Sequence, residues 1–184
     1  MMMSRRCFLK CAIACACSYQ LERLSGRGCT FASTRLERIP EKVLRLHNVH
    51  TGERLHTRYW VKGIYNQNEM HRIDHLLRCH YTNVVKPIDI KVIDLLCELK
   101  DLFACKEEIS IISGYRSPQY NEDLRRLGRH VAAGSLHVAG LAIDFAIPGV
   151  QTNELSRAAI QLKAGGVGLY TDFVHIDVGR MRHW

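Results

Sequence analysis

No apolar run in this 184-residue chain reaches the roughly 20 residues that a membrane-spanning helix needs. Beyond residue 20 the cysteines stand singly, at Cys29, Cys79, Cys97 and Cys105, and no C-x-x-C pair offers a zinc ribbon or a dithiol redox motif. Cys97 and Cys105 fall at apolar positions of a helix-like pattern and read as small core residues. Basic residues nowhere interleave with aromatics in one run, and the helix-like segments alternate charge sign, so nucleic acid is not indicated as a partner. The glutamate of H-E-x-x-H is missing from "HRIDH", which leaves His71 and His75 as a solvated helix face. Internal repeats and low-complexity tracts are absent too.

What is present is ordinary globular composition, 47% hydrophobic and 24% charged, long enough for one domain with a sizeable core plus extensions. The net charge of +8 and pI near 9.2 favour anionic partners: nucleic acid, a membrane surface or an acidic polymer such as bacterial cell wall. Part of that charge, Arg5, Arg6 and Lys10, sits in a start that has no acidic residue before position 20. "SRRCFLKCAIACACSYQ" sets a paired arginine and Phe-Leu-Lys ahead of a short apolar run crowded with Cys7, Cys11, Cys15 and Cys17. That layout resembles a twin-arginine export signal, which sends folded proteins across the bacterial inner membrane. "ACA" ending at Ala16 and "TFA" ending at Ala32 are alternative cleavage sites. Residues 1–39 are therefore expected to be an export leader and linker, cleaved or retained as an anchor, ahead of a domain at 40–184.

Along that domain, "KVLRLHNVH" and "ERLHTRYWVKG" alternate apolar and polar residues around "TGE", as a β-hairpin does. Met70, Ile73, Leu76 and Leu77 repeat at helical spacing, and "PIDIKVIDLLCELKDLFAC" is a second amphipathic helix. "EISIISGY" reads as a strand, "SPQYNEDLRRLG" as a helix capped by Ser117, "LAIDFAI" as a strand and "TNELSRAAIQLKA" as a helix. "GVGLY" and "FVHIDVG" read as two closing strands. The fold class is α+β, an antiparallel sheet with flanking helices.

Polar residues interrupt two of these strands. With alternation by two, Leu141, Ile143, Phe145 and Ile147 share one face of "LAIDFAI", and Ala142, Asp144 and Ala146 the other. Asp144 thus stands between two alanines, with room above it, and an unpaired buried carboxylate costs several kcal/mol. Upstream, in "GSLHVAG", Gly140 lets the backbone turn so that His137 comes over the same space. In "FVHIDVG", Phe173, His175 and Asp177 share a face. Two histidines and one aspartate are the ligand set of a zinc site with an open fourth position, the arrangement that catalytic zinc keeps. The competing reading is a pair of satisfied core or surface histidines. His130, after a helix end in a basic stretch, reads as a favourable C-terminal charge.

"SGYRSPQYNEDLR", "SLHVAGLAIDFAI" and "GGVGLYTDFVHIDVGRMRHW" resemble the motifs of the zinc D-alanyl-D-alanine metallopeptidases (the LAS group), in their murein endopeptidase branch. The resemblance runs from about Val43 to Trp184, and S-x-H-x-x-G-x-A-x-D is matched at Ser135, His137, Gly140, Ala142 and Asp144. It implies a hedgehog/D-alanyl-D-alanine peptidase-like fold and Zn2+ held by His137, Asp144 and His175. It also implies a base, an acidic residue or a histidine, just before the last ligand, where Asp172 stands three residues ahead of His175. That role requires the strand to begin after Asp172; otherwise Asp177 is the base, or an acceptor for a ligand imidazole N–H. By the same resemblance Arg116 points into the cleft toward a substrate carboxylate or developing oxyanion, and Ser113, Tyr115 and Ser135 shape that cleft. His183 and Trp184 pack near it.

The function so implied is an exported, periplasmic zinc endopeptidase that hydrolyses peptide crosslinks of peptidoglycan. Alternatives are a carboxypeptidase or L,D-type peptidase on the wall's stem peptides, or a non-catalytic wall-binding module, against which the intact ligand set argues. Its partners are then peptidoglycan and, through the leader, the twin-arginine machinery.

Overall fold

The hairpin reads out as its alternation dictates: β1 (Glu41–Asn48) pairs antiparallel with β2 (Arg54–Val61). Leu44, Leu46, Leu55 and Tyr59 turn inward, while Arg45, Arg54, His56 and Arg58 stay exposed. The computed structural model describes residues 41–129 and 131–184, so the expectations for the leader and for His130 lie outside the described residues. After β3 (Ile64–Tyr65) come α1 (Gln67–Leu76), capped by the Asn66 side chain, and α2 (Ile90–Leu102), capped by Asp89. β4 (Ile109–Ser113) leads to α3 (Pro118–Arg126), where the Ser117 hydroxyl accepts from the Tyr120 N–H at 3.2 Å. A single turn, α4 (Leu136–Ala139), precedes β5 (Ala142–Ala146). α5 (Thr152–Leu162), β6 (Gly166–Leu169), β7 (Val174–Asp177) and β8 (Arg182–His183) complete the chain.

The eight strands form one sheet in the order β3-β2-β1-β4-β5-β7-β6-β8. The sheet is mixed, which corrects the expectation of a purely antiparallel one. β1 and β4 run parallel because the chain crosses between them through α1 and α2 before re-entering the sheet in the same direction. β8 runs parallel to β6 because β6 and β7 form a tight hairpin, and the chain leaving β7 turns across the sheet end to the free edge of β6.

One face of the central strands carries the core. Ile109 and Ile111 of β4, Ile143 and Phe145 of β5, and Val174 and Ile176 of β7 are fully buried. They join one apolar cluster with Leu44 and Leu46, with Ile73, Ile93, Leu96 and Leu99 of α1 and α2, and with Leu155 of α5. Each such aliphatic side chain contributes about 1.5–3 kcal/mol by leaving water. Cys97 is part of this core, Cys105 packs partly against it, and both are free thiols. The face so packed leaves the other side of β5 and β7 for polar residues.

Candidate metal centre

Two local devices bring the three predicted ligands together. The first is register: β5 and β7 pair antiparallel with Asp144 directly opposite His175. Residues so opposed hold their side chains on the same face, with Cβ atoms about 4.5–5.5 Å apart. The second is the single turn α4. It starts at Ser135, whose side chain makes no capping bond, and stops at Gly140, whose φ of +76° is the left-handed conformation that ends a helix. A Cβ at Gly140 would lie 2.6 Å from the Pro87 carbonyl oxygen, so only glycine fits where the chain turns down into β5. His137 is thereby hung over β5, and all three side chains are buried.

The hydrogen bonds fix which atoms face inward. His137 Nδ1 lies 2.7 Å from the Gly114 carbonyl oxygen, and a carbonyl only accepts, so Nδ1 carries the proton and Nε2 presents its lone pair. His175 Nε2 lies 3.1 Å from Asp177 Oδ2, which leaves His175 Nδ1 facing the other way. The two inner nitrogens are 3.1 Å apart, and Asp144 Oδ1 lies 3.2 Å from the first and 2.7 Å from the second. Three acceptor atoms aimed at one another are stable only around a positive charge. The titration behaviour has the same origin: burial pushes the Asp144 carboxyl up, but His137 and His175 outweigh it and hold it well below the usual range. Burial pushes the His175 imidazole down, yet Asp144 and Asp177 raise it above its ordinary value.

The donor set fits a metal ion. A metal-binding atom from each of His137, Asp144 and His175 lies within 4.8 Å of the others. Tetrahedral zinc with ligand bonds of about 2.0–2.2 Å sets ligand atoms about 3.3 Å apart, slightly wider than the separations seen here. Among the described residues no other group of three or more metal-ligating side chains converges in this way. His71 and His75 are both on the exposed face of α1, as expected.

The cluster forms the floor of a cavity of about 340 Å³, walled by Arg116, Ser135, Tyr170, Phe173, Arg182 and Trp184. Arg116 is drawn in by its own backbone N–H, which donates to the His137 carbonyl at 3.2 Å. Its guanidinium Nη2 lies 3.5 Å from Ser113 Oγ and 3.9 Å from Asp144 Oδ2, and its buried Nε has no partner. Ser113 thus touches the site through Arg116 and does not line the cavity. Tyr115 is not among the lining residues: its backbone N–H is tied to the Leu77 carbonyl at 2.7 Å, and its ring packs into the apolar cluster. Trp184 stands over His175, ring centroids 5.4 Å apart, while His183 is exposed on β8.

The two candidate carboxylates occupy different environments. β7 begins at Val174, after Asp172, which occupies the exposed tip of the turn closed by the Tyr170 N–H to Phe173 carbonyl bond of 3.1 Å. Asp172 is exposed and lies in sequence between Tyr170 and Phe173, which line the cavity, but is not itself one of the lining residues. Asp177 is fully buried beneath His175. Its Oδ1 accepts from the Gly166 N–H, the Gly179 N–H and Arg182 Nη1 at 3.0, 2.8 and 3.2 Å, and its Oδ2 accepts from Arg182 Nη2 at 2.7 Å. Burial pushes its carboxyl up, but the bonds from His175, the two glycines and Arg182 outweigh that and keep it well below the usual range. Sequence reasoning missed Gly114, whose contribution is a backbone carbonyl. It also missed Arg182, which stands in no periodic pattern.

Fold and site together define a class: a mixed sheet backed by helices on one face, bearing on the other a buried His–Asp–His set beneath a cavity. The family model described as peptidoglycan L,D-endopeptidase MepK matches residues 38–184, and the chain belongs to that family. The peptidoglycan L,D-endopeptidase MepK of Escherichia coli (strain K12) is 39% identical over 145 residues, 78% of this chain and 80% of that protein. The probable peptidoglycan L,D-endopeptidase MepK of Haemophilus influenzae (strain ATCC 51907 / DSM 11121 / KW20 / Rd) is 34% identical over 146 residues, 78% of each. No solved structure matches the chain.

Proposed function

We propose that this protein is a zinc-dependent peptidoglycan L,D-endopeptidase that opens peptide crosslinks of the wall. The observation that carries the reading is the convergence of His137 Nε2, Asp144 Oδ1 and His175 Nδ1 at one buried point under a cavity, in a chain whose relatives bear that activity in their names. A zinc ion bound there supplies a Lewis acid for the scissile carbonyl and for a water whose pKa falls towards about 7.

The chain's own residues do the rest. The Gly114 carbonyl and Asp177 hold the two imidazoles with their lone pairs inward. The Arg116 guanidinium lines the cavity beside Asp144, suited to a substrate carboxylate or to the oxyanion that develops on the attacked carbonyl. Asp172 is the base that takes the proton of the attacking water on its carboxylate. In favour of that assignment, Asp172 is exposed on the turn whose Tyr170 and Phe173 line the cavity, whereas the oxygens of Asp177 are already occupied by five donor contacts with no exposure. Residues 1–39, by their twin-arginine pattern, carry the domain at 40–184 to the periplasm.

Crosslinked muropeptides incubated with the purified protein, with and without chelator, test the reading. Mass spectrometry should show cleavage at an internal crosslink, lost on chelation and restored by zinc. Release of only a terminal residue would make it a carboxypeptidase, and cleavage indifferent to chelator would rule out the metal. Replacing Arg5 and Arg6 by lysine should leave the protein in the cytoplasm; undiminished export would remove the leader assignment.

A further inference from the structure

Asp177 is held in place from β8. The parallel pairing of β6 with β8 sets Arg182 beside Gly166. A Cβ at Gly166 would come within 2.6 Å of Arg182 Nη1, so the missing side chain is what lets the guanidinium reach Asp177. Arg182 then grips both carboxylate oxygens, at 3.2 and 2.7 Å, in the two-pronged geometry that fixes a carboxylate's plane as well as its position. Trp184 lies over the same guanidinium, 5.1 Å from its ring centroid. It fits there because β6 has a second glycine, Gly168, where a Cβ would stand 2.7 Å from the indole. One oxygen of the gripped carboxylate is the acceptor for His175 Nε2.

We infer that Arg182 is a positioning residue of the metal centre: by locking the Asp177 carboxylate it sets the His175 ring, so metal affinity depends on β8. The inference rests on the zinc reading proposed above. Without the guanidinium, Oδ2 keeps His175 as its remaining partner. Oδ1 still accepts from the Gly166 and Gly179 N–H groups, but with no second donor on Oδ2 the carboxylate can pivot about Oδ1, and its hold on the imidazole loosens. Lysine restores the charge but not the fork.

The experiment is competition for zinc between a chromophoric chelator and the full-length protein, for wild type, Arg182→Met, Arg182→Lys, Asp177→Asn and the Arg182→Met/Asp177→Asn pair. The unfolding midpoint of each zinc-free protein is recorded beside it. Disturbing the partner of a ligand histidine typically lowers metal affinity 10- to 100-fold. Arg182→Met should show a loss in that range, Arg182→Lys a smaller one, and the double variant no more than Asp177→Asn alone, because both act along one path. If Arg182 only staples the sheet edge, Arg182→Met lowers the zinc-free midpoint and leaves zinc affinity at the wild-type value, and the inference falls. Additive losses in the double variant overturn it as well. Should Arg182→Met fail to fold, Arg182→Lys carries the test, since wild-type affinity in that variant means the fork has no role. Wild-type protein that binds no zinc would remove the metal reading itself, whereas wild-type binding with an unchanged Arg182 variant would remove this inference alone.

Discussion

Asp144, Asp172 and Asp177 are chemically identical side chains with three different surroundings, and the proposed function gives each a different task. Asp144 presents Oδ1 to both inner nitrogens, so Asp144→Ala removes one donor of three and should lose both zinc and hydrolysis. Asp172 is solvated and touches no ligand. Asp172→Ala should therefore keep zinc and lose about 10²–10⁴-fold in turnover, the usual contribution of general acid–base help. Asp177 is buried against His175, and Asp177→Ala should weaken zinc binding while turnover at saturating zinc falls less than in Asp172→Ala. Elemental analysis beside muropeptide turnover reads all three. Normal turnover in Asp172→Ala with a zinc-loaded but inactive Asp177→Ala would exchange the last two roles.

At the scale of elements, the centre depends most on α4, four residues long. Gly140→Ala forces a Cβ into the Pro87 carbonyl at a φ of +76°. A side chain in that conformation costs about 1–3 kcal/mol, and the shift it imposes falls on the turn that carries His137. Urea unfolding should show a loss of that size and zinc competition a parallel loss of affinity; a variant matching wild type in both would mean that α4 is not what holds His137. This turn is also where the sequence was least informative. Gly140 was legible as a place to turn, but four residues are too few to show a helical period. β3 and β8, two residues each, are likewise too short to alternate. Long periodic segments such as β1, β2, α1 and α2 were legible because their apolar faces meet the core. Asp144 and His175 stood out because charged groups on otherwise apolar strands need partners, and the shared face of β5 and β7 supplied them. The parallel pairing of β1 with β4 was hidden, since it follows from a crossover rather than from either strand. The surroundings of Tyr115 were hidden for a related reason: the Leu77 carbonyl that holds its backbone comes from another element.

For the molecule as a whole, core and centre lie on opposite faces of the same sheet. Ile143, Phe145, Val174 and Ile176 pack toward the helices, while Asp144 and His175, alternating with them, carry the donors. The apolar cluster is therefore complete without metal, unlike a zinc finger, whose fold is the metal site. Chelated protein should keep its far-ultraviolet dichroism and a single cooperative unfolding transition. Zinc should still raise that transition, because an ion that binds only the folded chain stabilises it by about 2.7 kcal/mol at a free concentration 100 times its dissociation constant. For a domain of this size that is a rise of the order of 10 °C in Tm. Asp144→Ala should show the chelated protein's midpoint and no response to zinc, because its core is intact and its donor set is not. Loss of dichroism on chelation would mean that the three inward-facing donors, rather than the apolar face behind them, hold β5 against β7.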